Sequence, residues 1–307
     1  MVLNKLFSET LGVAGAALRI ARNSRSTTLN QALLGTLITG APIPVLVPEG
    51  SAYAAATNDP RRGDAAPGGA TPPLFAVRPL AGPLGRLLLH PHLGMNFLRM
   101  LHGEQSFRFH GPIRYGQDVI PAATITGFRT VATGEILDIG LELRTPDGET
   151  LVSGTSSFFM TLGGGAGAGP RDRAGKTSPE ATPFPADAPG RFSRAFDTDP
   201  DQPRRYASAS GDRNPIHTNS VVARLSGLPR PIMHGLCMMA MAGREILDAR
   251  DAPGPDLQEL SVRFARPAFP GARYVLHGAD AANGGVDFVV LDEKERPILS
   301  RGHARLR

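Results

Sequence analysis

The sequence of 307 residues contains no tryptophan, one cysteine and only three lysines. Because Cys237 is alone, the chain can form neither an internal disulfide nor a cysteine-cluster metal site. Nearly all the basic residues are arginines. The net charge is only +5, and the basic residues are not clustered in one stretch of the sequence, so nucleic-acid binding is not indicated. The positive charge does favour an anionic ligand that carries phosphate groups. At about 100–200 residues per domain, the length predicts two domains or one duplicated unit.

A convincing membrane span is also lacking. Residues 31–47 are uncharged, but they fall short of the roughly 20 residues that a span requires and include Pro42 and Pro44. The first 30 residues carry three arginines and one acid. This composition fits a targeting presequence, an N-terminal helix packed on the domain, or a misplaced start codon. The cytoplasm is the expected location by default.

A linker divides the chain. Residues 163–190 are rich in glycine, proline and alanine, a composition that supports neither a helix nor a strand. We therefore predict four segments: an N-terminal extension of uncertain role (1–49), a first repeat (50–162), the linker (163–190) and a second repeat (191–307).

The two halves of the chain echo each other. Three pairs of segments match in order, at 53–59 and 206–212, at 101–103 and 233–235, and at 107–112 and 262–267. The first and third pairs are offset by 153 and 155 residues. Three echoes in the same order indicate a diverged duplication.

Each half is predicted to form four strands. They lie at 106–115, 118–131, 134–145 and 150–162 in the first half, and at 257–266, 272–280, 285–292 and 297–306 in the second. Apolar residues at helical spacing after His234-Gly235 predict a long helix in the second half. In the first half His102-Gly103 leads almost at once into a strand, so we predict that this repeat has lost the helix. A helix followed by a curved antiparallel sheet indicates an α+β fold.

The segment 206–235 contains the candidate catalytic residues. Asp212 and His217 are five positions apart across a turn with glycine and proline, so their side chains can converge. A carboxylate beside an imidazole can divide the two proton transfers that add water to a double bond. Asn214 suits holding that water or fixing the carboxylate. Gly235, at the start of the predicted helix, offers its N–H to a thioester carbonyl that becomes an enolate.

A structural interpretation of the same residues competes with the catalytic one, since Asp212 and His217 can also belong to helix caps and turns. The first half helps to decide. It keeps Tyr53 and Asp59, but Pro-Arg-Arg-Gly stands where Asn-Pro-Ile-His follows in the second half. An architectural motif has less reason to keep its polar residues in one copy only, so we favour the catalytic interpretation.

Residues 206–217, together with 232–235, resemble the hydratase 2 motif of MaoC-like (R)-specific enoyl-CoA hydratases, and residues 262–267 also fit that family. The layout of residues 50–307 is similar to the two-repeat, double hot-dog form of the family. The resemblance implies a curved antiparallel sheet in each repeat. It also implies that the central helix is kept in the C-terminal repeat and lost or degenerate in the N-terminal one.

The resemblance implies a hydro-lyase of fatty acid metabolism. It would add water reversibly, with syn geometry, to a trans-2-enoyl-CoA of medium-to-long or bulky acyl chain, giving the (3R)-3-hydroxyacyl-CoA. Asp212 and His217 would activate one water, with Asn214 in support and the Gly235 N–H as oxyanion donor. The substrate-binding residues would be His102, Gly103, Arg213 and Phe264. No metal and no cofactor apart from the CoA of the substrate is expected, and a homodimer is implied.

Other functions stay open. The same chemistry can serve a short dicarboxylic enoyl-CoA of the mesaconyl type or an acyl-carrier-protein thioester. The apolar run 87–89 favours an acyl chain instead. A thioesterase has no need of the Asn-Pro-Ile-His turn, and a non-catalytic acyl-CoA-binding subunit has no need of Asp212 and His217. His90 and His92 without a nearby carboxylate make a poor metal site.

Overall fold

The computed structural model describes residues 26, 28–60, 65–97, 99–162 and 184–307. The first 25 residues of the predicted extension, with the presequence hypothesis, lie outside the described residues. So do residues 163–183, which form most of the predicted linker. None of the described helices is both long enough and apolar enough to cross a bilayer.

The described chain forms five α-helices and eleven strands. The helices are α1 (Val47–Ala56), α2 (Val77–Leu88), α3 (Gln202–Ser210), α4 (Ser220–Leu225) and α5 (Gly235–Ala249). The strands are β1 (Leu37–Thr39), β2 (Ile43–Pro44), β3 (Met100–Phe109), β4 (Asp118–Val131), β5 (Gly134–Arg144), β6 (Thr150–Thr161), β7 (Phe192–Asp197), β8 (Leu257–Phe264), β9 (Arg273–Asp280), β10 (Val286–Asp292) and β11 (Pro297–Leu306). Seven of the eight predicted strands form with ends within two residues of the prediction, while β3 begins and ends six residues earlier.

One antiparallel sheet runs through both halves, in the order β1-β4-β5-β6-β3-β8-β11-β10-β9-β7. The order is symmetric about its centre. From one edge inward the strands are β1, β4, β5, β6 and β3, and from the other edge their counterparts are β7, β9, β10, β11 and β8. At the centre, Ser106 of β3 pairs with Ser261 of β8. These two serines are 155 positions apart, the offset that separates the matching segments 107–112 and 262–267. A pseudo-two-fold axis therefore passes between them, as expected for a duplicated chain that forms a double hot-dog fold.

The symmetry places the start of the first repeat earlier than predicted. Strand β1 lies at one edge of the sheet, paired with β4, as β7 lies at the other edge, paired with β9. Each of these edge strands precedes the first helix of its half. The first repeat therefore begins near residue 37, within the segment 1–49 that the sequence assigned to an extension.

The N-terminal repeat keeps a degenerate central helix. Helix α2 precedes β3 as α5 precedes β8, but it has 12 residues against 15 and contains Pro83, which removes a backbone hydrogen bond. His102 and Gly103 lie within β3, after this helix. The prediction that the helix was lost after His102-Gly103 is therefore corrected, and those residues are not the structural counterparts of His234-Gly235.

The buried core is continuous between the repeats. Helix α5 packs against β7, β8, β9 and β11, and α2 packs against β1, β4 and β5. The residues that α5 buries include Cys237, Met239, Met241 and Ile246. One hydrophobic cluster contains these side chains together with Tyr53, Leu80 and Phe107 of the first repeat. The two repeats thus form a single packed body around the site described next.

Candidate active site

The loop after helix α3 holds Asp212 in place. Gly211 has a φ of +85°, a left-handed conformation that ends the helix. The carboxylate Oδ1 of Asp212 accepts the backbone N–H of Asn214 at 3.1 Å, and the Asn214 side-chain oxygen accepts the N–H of Ile216 at 3.2 Å. The latter bond caps a 3-10 turn that ends at His217. Asn214 therefore has a structural role in the turn that joins the two candidate catalytic residues.

Two histidines stack beside the carboxylate of Asp212. The rings of His217 and His234 lie 3.8 Å apart with planes inclined by 25°. Nδ1–H of His217 donates to the Ile232 carbonyl at 3.0 Å, and Nε2–H of His234 donates to the Asp212 carbonyl at 3.0 Å. A carbonyl only accepts, so these bonds set the tautomers. The neutral His217 ring thus has its lone pair at Nε2.

The surroundings favour a carboxylate beside a neutral imidazole. Burial lowers the pKa of His217 although the carboxylate of Asp212 opposes this shift. Burial also lowers the pKa of His234, to about 3, and His217 adds to the effect. For Asp212, burial acts to raise the pKa, but His234, His217 and the N–H of Asn214 outweigh it, so the pKa lies below its usual value. The pair is therefore ready to accept a proton from water at neutral pH.

The same three side chains offer atoms of the kind that bind metals. The candidate ligand atoms of Asp212, His217 and His234 all lie within 4.8 Å of one another. Because the two rings are stacked and nearly parallel, however, their in-plane lone pairs do not converge as a tetrahedral site requires. This geometry suits proton transfer better than metal binding, and catalysis without a metal stays a prediction.

Gly235 is the first residue of helix α5. Its N–H is one of the first-turn donors that have no acceptor within the helix, and it lies at the positive end of the helix dipole. The ring of Phe264, at the end of β8, packs closely on it, since a Cβ at Gly235 would lie 2.8 Å from Cε1 of Phe264. Only a residue without a side chain fits this position as the ring stands.

The N-terminal repeat contributes His102 to the same site. The β3–β6 pairing has an irregularity between His102 and Glu104, which places a bulge at Gly103, and a bulge can redirect a neighbouring side chain. The His102 ring stacks on Phe158 at 4.6 Å and lies 4.8 Å from Phe264. Burial lowers its pKa to about 4, although the carboxylate of Asp212 acts to raise it. Within the described residues, its buried Nε2 has no hydrogen-bond partner.

Comparisons with known proteins agree with this arrangement. Residues 182–286 match the model of the MaoC like domain, and residues 70–153 match that of the FAS1-like dehydratase domain region. Residues 182–286 therefore form a MaoC-like domain, preceded by a region similar to a FAS1-like dehydratase.

Two curated relatives and one solved structure illustrate the similarity. The chain is 30% identical over 181 residues to 3-hydroxyacyl-thioester dehydratase Y of Mycobacterium tuberculosis, which covers 56% of this chain and 59% of that protein. It is 29% identical over 179 residues to the peroxisomal enoyl-CoA hydratase 2 of Arabidopsis thaliana, which covers 56% of this chain and 57% of that protein. The chain therefore spans less than two thirds of the length of these relatives. The M. tuberculosis protein RV0216, described as a double hot-dog fold, superposes with a TM-score of 0.60 at 12% identity, over 88% of this chain and 94% of that one.

Around the MaoC-like domain most of the predicted site residues come together. The structure gathers one group of them around the carboxylate and the α5 N-terminus: Asp212, Asn214, His217, Gly235, His102 and Phe264. Arg213 differs, because it is exposed on the loop beside Asp212. Of the other arginines considered for CoA phosphates, Arg204 and Arg266 are also exposed. Arg205 instead donates to the Ala55 carbonyl at 2.7 Å and pairs with Asp199.

Sequence reasoning missed His234 as a site residue. It belongs to the MaoC-like motif, but only the glycine after it was given a role. The first repeat, by contrast, keeps Tyr53 and Asp59 in its sequence but not the Asn-Pro-Ile-His turn. There Tyr53 and Asp59 line a small separate pocket together with Gly243 and Arg244 of helix α5. The region of the first repeat that corresponds to the active site of the second is thus lined by different residues.

Proposed function

We propose that this chain is an (R)-specific 2-enoyl-CoA hydratase, which also dehydrates (3R)-3-hydroxyacyl-CoA in the reverse direction. The observation that carries the proposal is the convergence of the Asp212 and His217 side chains, whose candidate ligand atoms lie within 4.8 Å of each other, beside the first turn of helix α5. The names of the two curated relatives, a thioester dehydratase and an enoyl-CoA hydratase, support this chemistry.

In this proposal the hydration proceeds in two steps, with separate roles for the Asp212–His217 pair and for Gly235. One water molecule donates hydrogen bonds to the Asp212 carboxylate and to His217 Nε2. As the water oxygen bonds to C3 of the enoyl group, one water proton passes to the pair and the C2–C3 π electrons move toward the thioester oxygen. The Gly235 N–H stabilises the resulting enolate oxygen. The pair then returns a proton to C2 from the same face, which makes the addition syn.

We base the proposal of a medium-to-long acyl chain in the substrate on the apolar side chains next to the site. The sequence-based arguments for it are weakened, because helix α2 occupies the first repeat and both Leu87 and Leu88 are buried in the core. The support comes instead from the rings of Phe158 and Phe264, which flank His102 next to the site. An apolar chain can pack against these two faces.

The test follows the loss of enoyl-thioester absorbance with crotonyl-CoA and with trans-2-decenoyl-CoA. The product is coupled separately to R- and S-specific 3-hydroxyacyl-CoA dehydrogenases. We expect only the R product, a faster rate with the ten-carbon chain, and a loss of about 10²–10⁴-fold in Asp212→Asn, the usual contribution of a general acid or base. Asp59→Asn is the matched control, since Asp59 is the buried counterpart in the other repeat, and it should retain activity.

Three results would contradict the proposal. Hydration that survives Asp212→Asn at full rate would remove Asp212 from the mechanism. Release of free CoA without hydration would indicate a thioesterase. A folded wild type that binds these thioesters without converting them would indicate a binding subunit.

We also propose that the chain acts as a homodimer, as the family resemblance implied, and that it is located in the cytoplasm, the default expectation. Light scattering coupled to size exclusion measures the assembly, and a monomer at micromolar concentration would contradict it. Fractionation of the source cells tests the location.

A further inference from the structure

His234 lies in a column of buried aromatic rings, formed by Tyr53, Tyr206, His234 and His217, which reaches from the first repeat to the catalytic pair. Its ring is 3.8 Å from the His217 ring and 4.9 Å from the Tyr206 ring. Tyr206 in turn lies 5.7 Å from the Tyr53 ring, and their hydroxyls are 3.4 Å apart. Only 1% of the surface of His234 is exposed, so its ring cannot move without repacking its neighbours.

The same histidine is bonded to the backbone of the other candidate catalytic residue. Its Nε2–H donates to the main-chain carbonyl of Asp212, while Asn214 binds the carboxylate of that aspartate. Asp212 is thus held at its carbonyl and at its side chain by two different loops. Within the described residues, the other nitrogen of His234, Nδ1, is buried without a hydrogen-bond partner. Burial of a polar atom in this way is costly and calls for a compensating role.

We propose that His234 is a positioning residue, whose ring fixes the plane of His217 and whose Nε2–H fixes the main chain of Asp212. This inference rests on the proposed hydratase function. A shift of about 1 Å in a reacting group can cost about 10²-fold in rate. Both members of the pair depend on this one side chain for their alignment. The column also gives a reason why the degenerate repeat keeps Tyr53 while it has lost the Asn-Pro-Ile-His turn.

Three variants separate the two contacts. His234→Phe keeps a ring against His217 but cannot donate to Asp212, His234→Gln can donate but has no ring, and His234→Ala does neither. We expect Phe and Gln to lower kcat by about 10-fold and Ala by about 100-fold, each with KM within about threefold of wild type, because alignment of the pair is lost and not substrate binding. Tyr115→Phe, at another buried tyrosine of the first repeat, is the control and should retain kcat.

A folded His234→Ala variant with kcat within threefold of wild type would overturn the inference. A rise in KM at unchanged kcat would also overturn it, because it would assign His234 to substrate binding. A wild type without hydratase activity would instead contradict the proposed function.

A second measurement does not depend on variants that fold. Long-range ¹H–¹⁵N spectra of the wild type near pH 7 report which ring nitrogen of each histidine carries the proton. We expect Nε2–H for His234 and Nδ1–H for His217. The opposite tautomer at either residue would break the hydrogen bonds on which the inference stands and would overturn it, with or without activity.

Discussion

At the scale of single residues, the site depends on protonation states that burial controls. His217 is kept neutral mainly because its ring is buried, against the attraction of the Asp212 carboxylate. Asp212 stays ionised because His234, His217 and the Asn214 N–H outweigh the effect of burial. Both pKa values therefore lie below their usual ones. The base form of the pair persists to lower pH than it would in water.

The pH profile of kcat/KM tests these shifts. The active form has Asp212 and His217 deprotonated, so activity falls when pH drops below their pKa values. Because both are lowered, we expect the acid limb to lie below about 6.5, the ordinary value for histidine. A midpoint at or above that value, measured with crotonyl-CoA, would contradict the assignment.

Gly235 offers a second test at this scale. Alanine suits a helix better than glycine does, but its methyl group would meet the Phe264 ring. We expect Gly235→Ala to lower kcat/KM by about 10- to 100-fold, because the ring is pushed toward the substrate. The overpacking should also lower the free energy of unfolding by about 1–3 kcal/mol. The double variant Gly235→Ala/Phe264→Leu should recover part of this loss. Equal activity in wild type and Gly235→Ala would show that the contact is irrelevant.

At the scale of elements, the β3–β8 pairing joins the repeats and brings His102 to the site of the second repeat. Leu260 of β8 is fully buried, pairs with Phe107 of β3 and touches helix α5 at Gly243. A side chain at this junction supports the sheet and the catalytic helix together. Its removal should therefore affect the stability of both repeats.

We expect Leu260→Ala to lower the free energy of unfolding by about 2–5 kcal/mol, the usual result of a leucine-to-alanine cavity in a core. Leu225→Ala is the matched control. Leu225 is 78% exposed on helix α4, and surface changes usually stay within about 0.5 kcal/mol. Urea denaturation measures both, and similar values for the two variants would contradict the role of the junction.

The element boundaries show where sequence patterns suffice. Strand β5 alternates regularly between buried and partly exposed positions, and such alternation marks strands reliably. Helix α2 was not predicted, because its sequence contains Pro79, Gly82 and Pro83, which disfavour a helix in isolation. Packing against β4 overrides this weak preference.

At the scale of the whole molecule, the two repeats share one sheet and one core. Strand β8 has β3 as one neighbour and β11 as the other. Without the first repeat, the β8 edge that pairs with β3 would be open, and the buried Val262 and Leu260 would lose their partners Gln105 and Phe107. An open apolar edge is prone to pair with another chain.

We therefore expect a fragment of residues 184–307 not to exist as a folded monomer. It should dimerise or aggregate, since the pseudo-two-fold axis lets a second β8 take the place of β3. The full chain should unfold in a single transition, with tertiary and secondary structure lost together. Circular dichroism and light scattering measure both, and a folded, active, monomeric fragment would contradict this view.

The sequence by itself determined the features that arise from local pattern. These are the strands, the helix α5, the duplication and the polar turn from Asp212 to His217, because alternation, helical spacing and turn residues act over short stretches of chain. Only the tertiary structure decided which distant residues meet. His102 reaches the site because β3 pairs with β8, and His234 contacts Asp212 because two loops close on each other. Such contacts follow from pairing and packing across the fold, which no local pattern records.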